Sequence, residues 1–219
     1  MGSKKTHGKG TVQRFIDLDR MLRGNAEVKP LGHIKLTMQK YYGVDGGSVQ
    51  LDGVTPDIIL PDYLHYVTTG ERDYDHALEW SEIEAVPFEQ NVYQIHNLEE
   101  LRKLSEDRIA NDETFQAILE RAAFVKAQRD ETVYPLSLTA YQALEKERDE
   151  ESKEYRDLMK EEYLSNVSNL TVDLSDLETA DESKIARNED FIKSVKKDIY
   201  LKEAIAIMND MIATHDLAK

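Results

Sequence analysis

Two hydrophobic periods divide this chain. Up to about residue 70 apolar positions tend to alternate with polar ones, and beyond it they return every third or fourth residue. In Thr11–Asp17, Val12, Arg14 and Ile16 alternate with Gln13, Phe15 and Asp17. The β-branched and aromatic content predicts a strand with both faces partly covered. Residues 19–30, with Arg20, Arg23, Gly24, Asn25 and Pro30, read as a loop. Ile34, Leu36 and Met38 then alternate with Lys35, Thr37 and Gln39 in the clearest period-two signal of the chain, running on into Tyr41 and Tyr42. Asp45-Gly46-Gly47 predicts a turn, and Ile58-Ile59-Leu60 a short buried strand closed by Pro61.

The later period is helical. Asn97 with Glu100 has the spacing of a capping box, ahead of the apolar face Leu98, Leu101, Leu104 and Ile109. Phe115, Ile118, Leu119, Ala122 and Val125 mark a second helix. Thr139 with Gln142 is placed to cap a third, carrying Tyr141, Leu144, Tyr155, Leu158, Met159 and Leu164. Within it, Glu145 to Glu154 hold no apolar residue. That stretch reads as a solvated span supported by Lys146–Glu150 and Asp149–Lys153 pairs. A last helical region opens at Thr179 and Glu182 and ends on a stripe of Leu201, Ile205, Met208 and Ile212, as one helix or two. The fold class expected is α+β: a β-rich part over 1–68 and a mainly α-helical domain over 69–219.

Charge sharpens that boundary. The formal charge is -15 over 219 residues, but residues 1–70 hold nine Lys/Arg against seven Asp/Glu, and the remainder nineteen against thirty-six. An acidic helical part argues against nucleic acid as a partner, since phosphates require a basic face. No apolar run approaches a membrane span. With no cysteine, disulfides and thiolate metal sites are excluded, and the six histidines lack zinc-ligand spacing. No cofactor or metal is expected.

The specific chemistry sits near the start, in His7-Gly8-Lys9-Gly10-Thr11-Val12-Gln13. A lysine framed by two glycines, with a glutamine four positions on, resembles the general-base motif of the tail-specific, or C-terminal processing, proteases. Three further stretches follow that family's order: Gly32 to Tyr42, then Gly46-Gly47-Ser48-Val49-Gln50 and Gly53-Val54-Thr55-Pro56-Asp57-Ile58-Ile59-Leu60-Pro61. One Gly-Lys-Gly is weak evidence, whereas ordered blocks across some sixty residues are strong. The resemblance implies a serine endopeptidase with a Ser/Lys pair, in which Lys9 is the base and Gln13 orients it. It also implies that the serine lies upstream of Lys9, so that the chain is the back half of an enzyme and inactive alone.

The chemistry needs those residue types. A serine hydroxyl attacks a carbonyl after a base takes its proton, and lysine is a base only when neutral. Bringing an ordinary lysine from about 10.4 to about 7 means destabilising its ammonium by roughly 4–5 kcal/mol, which burial supplies. Flanking glycines let the backbone pack closely around the amine. If residues 9–13 are extended, Gln13 falls on the face of Lys9.

Ser48 follows two glycines but has no base at elbow spacing and reads as a turn residue. Ser3 is too close to Lys9 for the family's nucleophile. Trp80 reads as an anchor at the junction of the two parts.

From the resemblance come further expectations: protein substrates recognised by apolar C-terminal tails, a lipoprotein adaptor in some relatives, and a bacterial periplasm or cell-envelope location. Strands cut from a larger sheet also expose edges, so self-association of the β-rich part is expected. A non-catalytic alternative remains, in which the helical domain is a docking module and residues 1–61 an appended piece of sheet.

Overall fold

The computed structural model describes residues 1–21, 24, 26–89, 95–178 and 181–214. Thr179, expected at a helix start, lies outside them. Contacts divide the chain into two interleaved units: a helical unit of Met1–Ser3, Asp57–Val67 and Ile95–Lys219, and a ribbon unit of Lys4–Pro56 and Thr68–Gln94. The class is α+β with helix predominating.

In the ribbon unit, β1 (Thr11–Asp17) and β2 (His33–Lys40) form an antiparallel pair, with a register break between Val12 and Gln13. Both strands fall where alternation placed them. The cover of β1 is partial, with Thr11 buried, Gln13, Ile16 and Asp17 half-buried and Phe15 65% exposed, while every β2 residue before Lys40 is exposed. In β2 alternation therefore marks strand geometry without marking burial. Among its described residues the predicted loop contains two short 3-10 turns, Leu18–Arg20 and Ala26–Val28, while Arg23 and Asn25 lie outside the described residues.

The turn at 45–47 is present. Gly46 takes φ +85, and Gly43 and Gly47 close it through Gly43 N–H to the Gly47 carbonyl at 2.8 Å. Ser48, just after it, is buried, and its hydroxyl oxygen accepts from the Gln50 N–H at 3.1 Å. The Trp80 indole donates to the Ser48 carbonyl at 2.7 Å, an anchor lying within the ribbon unit.

Among the described residues the helical unit has six helices: α1 Leu98–Asn111, α2 Glu113–Asp130, α3 Leu138–Leu158, α4 Thr171–Glu178, α5 Glu182–Lys196 and α6 Ile199–Thr214. Its core joins Leu101 and Ile109 of α1, Phe115 and Ile118 of α2, and Ile199 and Ile207 of α6 to Ile58 and Leu60. The last two come from the predicted buried strand. What forms there is a single parallel bridge, Gly2 to Ile59, with Ile58 and Leu60 turned inward and Ile59 outward.

Several helix ends differ from expectation. The capping box at Asn97 does not form, because its backbone (φ -107, ψ 32) leaves the extended region a side-chain cap needs. Its amide nitrogen donates instead to the Thr214 hydroxyl. The strong cap is Asp112, which ends α1 and starts α2, accepting from the Thr114 and Phe115 N–H groups at 2.9 and 3.2 Å. Burial would push the Asp112 carboxyl up, but the Lys202 ammonium at 2.8 Å and those N–H groups together hold it below its ordinary value. Helix α3 begins at Leu138, which puts Thr139 inside the helix and Ser137 at the cap position, and it stops before Leu164.

The charged span of α3 is not wholly solvated. Ser152 is buried and accepts from Arg121 of α2 at 2.7 Å, while Arg148 bridges Glu131 and Glu145 at 2.6 and 3.0 Å. Lys146 pairs with Glu150 as expected, but Asp149 pairs with Arg156 instead of Lys153, since Arg offers a fork that a carboxylate and a carbonyl both accept. The last helical region is two helices after α4, broken at Lys197-Asp198. On α6 the predicted stripe is half-buried at Leu201 but exposed at Ile205, Met208 and Ile212, while Ile199, Glu203 and Ile207 are buried. Glu203 is tolerated there because Ser105 donates to it at 2.7 Å and Arg108 at 2.8 Å, with Arg108 also reaching Asp210 at 2.6 Å. Among the described residues no helix is long and apolar enough to cross a membrane.

Candidate functional site

The ribbon unit holds an open groove of about 580 Å³ lined by His7, Lys9, Gln13, Lys35, Glu71 and Asp75, among others. Lys9 sits on the extended run entering β1. The glycines around it are both required by space. Gly8 has φ +84, and a Cβ there would stand 2.9 Å from the Leu51 carbonyl oxygen. A Cβ on Gly10 would stand 2.7 Å from both the Gln50 nitrogen and the Ser48 hydroxyl oxygen.

This close approach is fixed by Gln50, which is fully buried. Its Oε1 accepts from the Gly10 N–H at 2.8 Å, and its Nε2 donates to the Leu78 carbonyl at 3.0 Å and to Glu71 Oε1 at 3.3 Å. The Tyr41 hydroxyl donates to the Lys9 carbonyl on the other side. The backbone carrying the lysine is thus clamped while the side chain, 37% exposed, reaches the groove.

Lys9 Nζ lies 3.7 Å from Glu71 Oε1, and His7 Nε2 lies 3.5 Å from Glu71 Oε2. Gln13 lines the same groove, but its amide donates across the ribbon to the Thr37 hydroxyl at 3.3 Å. The structure therefore brings both candidate residues to one groove and gives the lysine a carboxylate partner from far along the chain. Sequence reading missed Glu71 and Gln50. Gln50 stood inside a quoted block, but nothing in spacing announces a side chain that bridges two backbone segments.

Ser48 is oriented inward by Gln50 and Tyr41, with its hydroxyl 3.5 Å from the Tyr41 carbonyl, so its partners are backbone groups and not a base. Ser3 belongs to the helical unit, where it lines an apolar cavity of about 660 Å³ with Leu60, Leu64, Tyr200 and Leu201. Burial pushes Tyr200 up to about 12, with Tyr155, Asp62 and Asp198 adding to it, so its phenol stays neutral at physiological pH. No base hydrogen-bonds Ser3 among the described residues. Nor do those residues contain a group of three or more His, Asp or Glu placed to hold a metal ion.

Residues 1–60 match Peptidase family S41. Residues 64–213 match the family described as the C-terminal domain of tail specific protease. A tail-specific protease of Haemophilus influenzae is 29% identical over 212 residues, covering 95% of this chain and 28% of that protein. The chain thus spans less than a third of the length of this curated relative. With a family match over most of its length, the chain belongs to the tail-specific protease family.

Proposed function

We propose that this chain supplies the general base of a Ser/Lys serine endopeptidase, with Lys9 as the base and Gln13 as the residue that orients it. Residues 1–68 are then the end of the catalytic domain, and 69–219 the C-terminal helical domain. Within that order the segment Thr68–Gln94 folds with the first part. The observation that carries the reading is the clamped Gly8-Lys9-Gly10 backbone, with no room for a side chain on either glycine, presenting the amine to a groove that Gln13 also lines.

In the reaction the neutral amine takes the proton of a serine hydroxyl as that oxygen attacks a peptide carbonyl, and the ammonium returns it to the leaving amine. The serine lies outside these 219 residues. Gln13 reaches Lys9 by exchanging its Thr37 bond. Substrates are proteins presenting apolar C-terminal tails, in the periplasm or cell envelope of a bacterium, with a lipoprotein adaptor as a further partner. A docking role for the helical domain is compatible with this, and the exposed Ile205, Met208 and Ile212 of α6 favour it.

Without a nucleophile the isolated chain is inactive. Incubated with an unfolded protein ending in an apolar tail, it should give no fragments by mass spectrometry. Hydrolysis that persists in a Ser48→Ala variant and is lost in Lys9→Ala would place a nucleophile within the chain and overturn this part of the reading.

A further inference from the structure

The carboxylate beside Lys9 comes from Glu71, beyond the stretch that matches the peptidase family and inside the stretch that matches the C-terminal domain. Its position is built by several contacts. The Glu71 N–H donates to the His7 carbonyl at 2.8 Å, which ties residue 71 to the run that carries Lys9. Gly70 makes the tie possible, since a Cβ there would stand 2.7 Å from the His7 carbonyl oxygen. On the other side Arg72 donates to the Leu51 carbonyl at 3.1 and 2.9 Å and to Asp52 at 2.9 Å. Gly70, Glu71 and Arg72 are thus fastened to residues on both sides of the groove's floor.

The side chain of Glu71 is buried, unlike most carboxylates. A buried carboxylate needs a cation or several hydrogen bonds. Gln50 Nε2 gives one hydrogen bond to Oε1 at 3.3 Å. The cations within reach are Lys9 at Oε1 and, when protonated, His7 at Oε2. Other titratable groups face the groove: Lys35, Tyr74, Asp75 and His76. None of these is ion-paired with Lys9 or Glu71 among the described residues, and the Lys35 ammonium lies over the Phe15 ring.

We propose that Glu71 is the counter-ion and positioning residue of Lys9, so that the lysine groove is completed by the first segment of the C-terminal domain. This rests on the reading of Lys9 as the base and adds a resting state to it. Paired with Glu71, the lysine is held at a fixed place as an ammonium, and it must first give up a proton, becoming the neutral amine, before it can take one from the serine. The C-terminal domain thereby takes part in the site. A chain cut at the end of the peptidase match would keep the lysine and lose its counter-ion.

Competitive acylation of the 219-residue chain with a trace of acetic anhydride, read lysine by lysine by mass spectrometry, tests this directly. An ammonium engaged with a carboxylate reacts slowly, so Lys9 should label less than the nearby Lys4 and Lys5. In Glu71→Gln, which keeps the size and can still accept from Gln50, Lys9 labelling should rise severalfold while Lys4 and Lys5 stay unchanged. Asp75→Asn, removing another carboxylate of the groove, should leave Lys9 as it was. Lys9 labelling that is unchanged in Glu71→Gln, or equally raised in Asp75→Asn, would overturn the assignment.

A double-mutant cycle covers the case in which Glu71→Gln folds poorly. Lys9→Met leaves a buried carboxylate without its cation, so the double variant Lys9→Met with Glu71→Gln should lose less stability than the two single losses combined. Additive losses would overturn the pairing. Neither readout needs peptidase activity. A failure here leaves the base reading intact, and proteolysis surviving Lys9→Ala in a complete protease would remove the base reading while leaving the ion pair in place.

Discussion

At the scale of single residues, the site depends on what is missing from Gly8 and Gly10 as much as on the amine between them. Gly10 makes its point by packing alone. A methyl group there would meet the Gln50 nitrogen and the Ser48 hydroxyl at 2.7 Å and Gln50 Cβ at 3.0 Å, and backbone atoms yield little. Gly10→Ala is therefore expected to destabilise the chain by about 1–3 kcal/mol, the usual cost of overpacking a filled site. Urea unfolding checks this: the midpoint should fall with an unchanged slope, whereas an unchanged midpoint would show that the Gln50 clamp is soft. Lys9, its glycines and Gln13 were legible in the sequence because they are local. Glu71 was not, since its partners are distant in the chain and its surroundings, Thr69-Gly70-Glu71-Arg72-Asp73, carry no period that predicts a buried acid.

At the scale of elements, period-two alternation located β1 and β2 without revealing that β2 is exposed on both faces. Alternation tests whether a chain is extended, and Ile34, Leu36 and Met38 are extended and exposed. Helices α1 and α2 were legible from their apolar faces, while α4 was not, being eight residues long with a weak stripe. The α6 face was misread because a search for apolar positions passes over Glu203, whose burial depends on Ser105 and Arg108 of another helix. The exposed ribbon has a consequence for the isolated chain. Among the described residues β1 and β2 pair with each other alone, leaving outer edges open beside an apolar face. Pairing of the ribbon with a second copy is expected at high concentration. Sedimentation should show mass growing with concentration, and a charge such as Leu36→Lys on the exposed face should reverse it. A monomer at all concentrations, with β2 amides protected from exchange, would contradict this.

At the scale of the whole molecule, the charge shift near residue 70 and the change of period agree that two kinds of structure meet in this chain. Contacts add what neither signal held: Thr68–Gln94 belongs with the ribbon, and Met1–Ser3 and Asp57–Val67 with the helices. Interleaving of this kind is invisible to composition, because composition is read along the chain and contacts are not. It explains how a residue of the C-terminal region comes to lie beside Lys9. The helical unit has its own core, with a buried Glu203 that accepts from the half-exposed Arg108 and from Ser105, so Arg108→Met is expected to destabilise the unit by leaving that carboxylate short of its cation. The central claim is that Lys9 is a general base, and the most direct measurement is peptidase activity of a complete protease carrying this chain, compared with its Lys9→Ala variant. On an unfolded substrate with an apolar C-terminal tail, kcat should fall by about 10²–10⁴-fold or more with substrate binding retained. Cleavage at an undiminished rate by a folded Lys9→Ala protein would contradict the account.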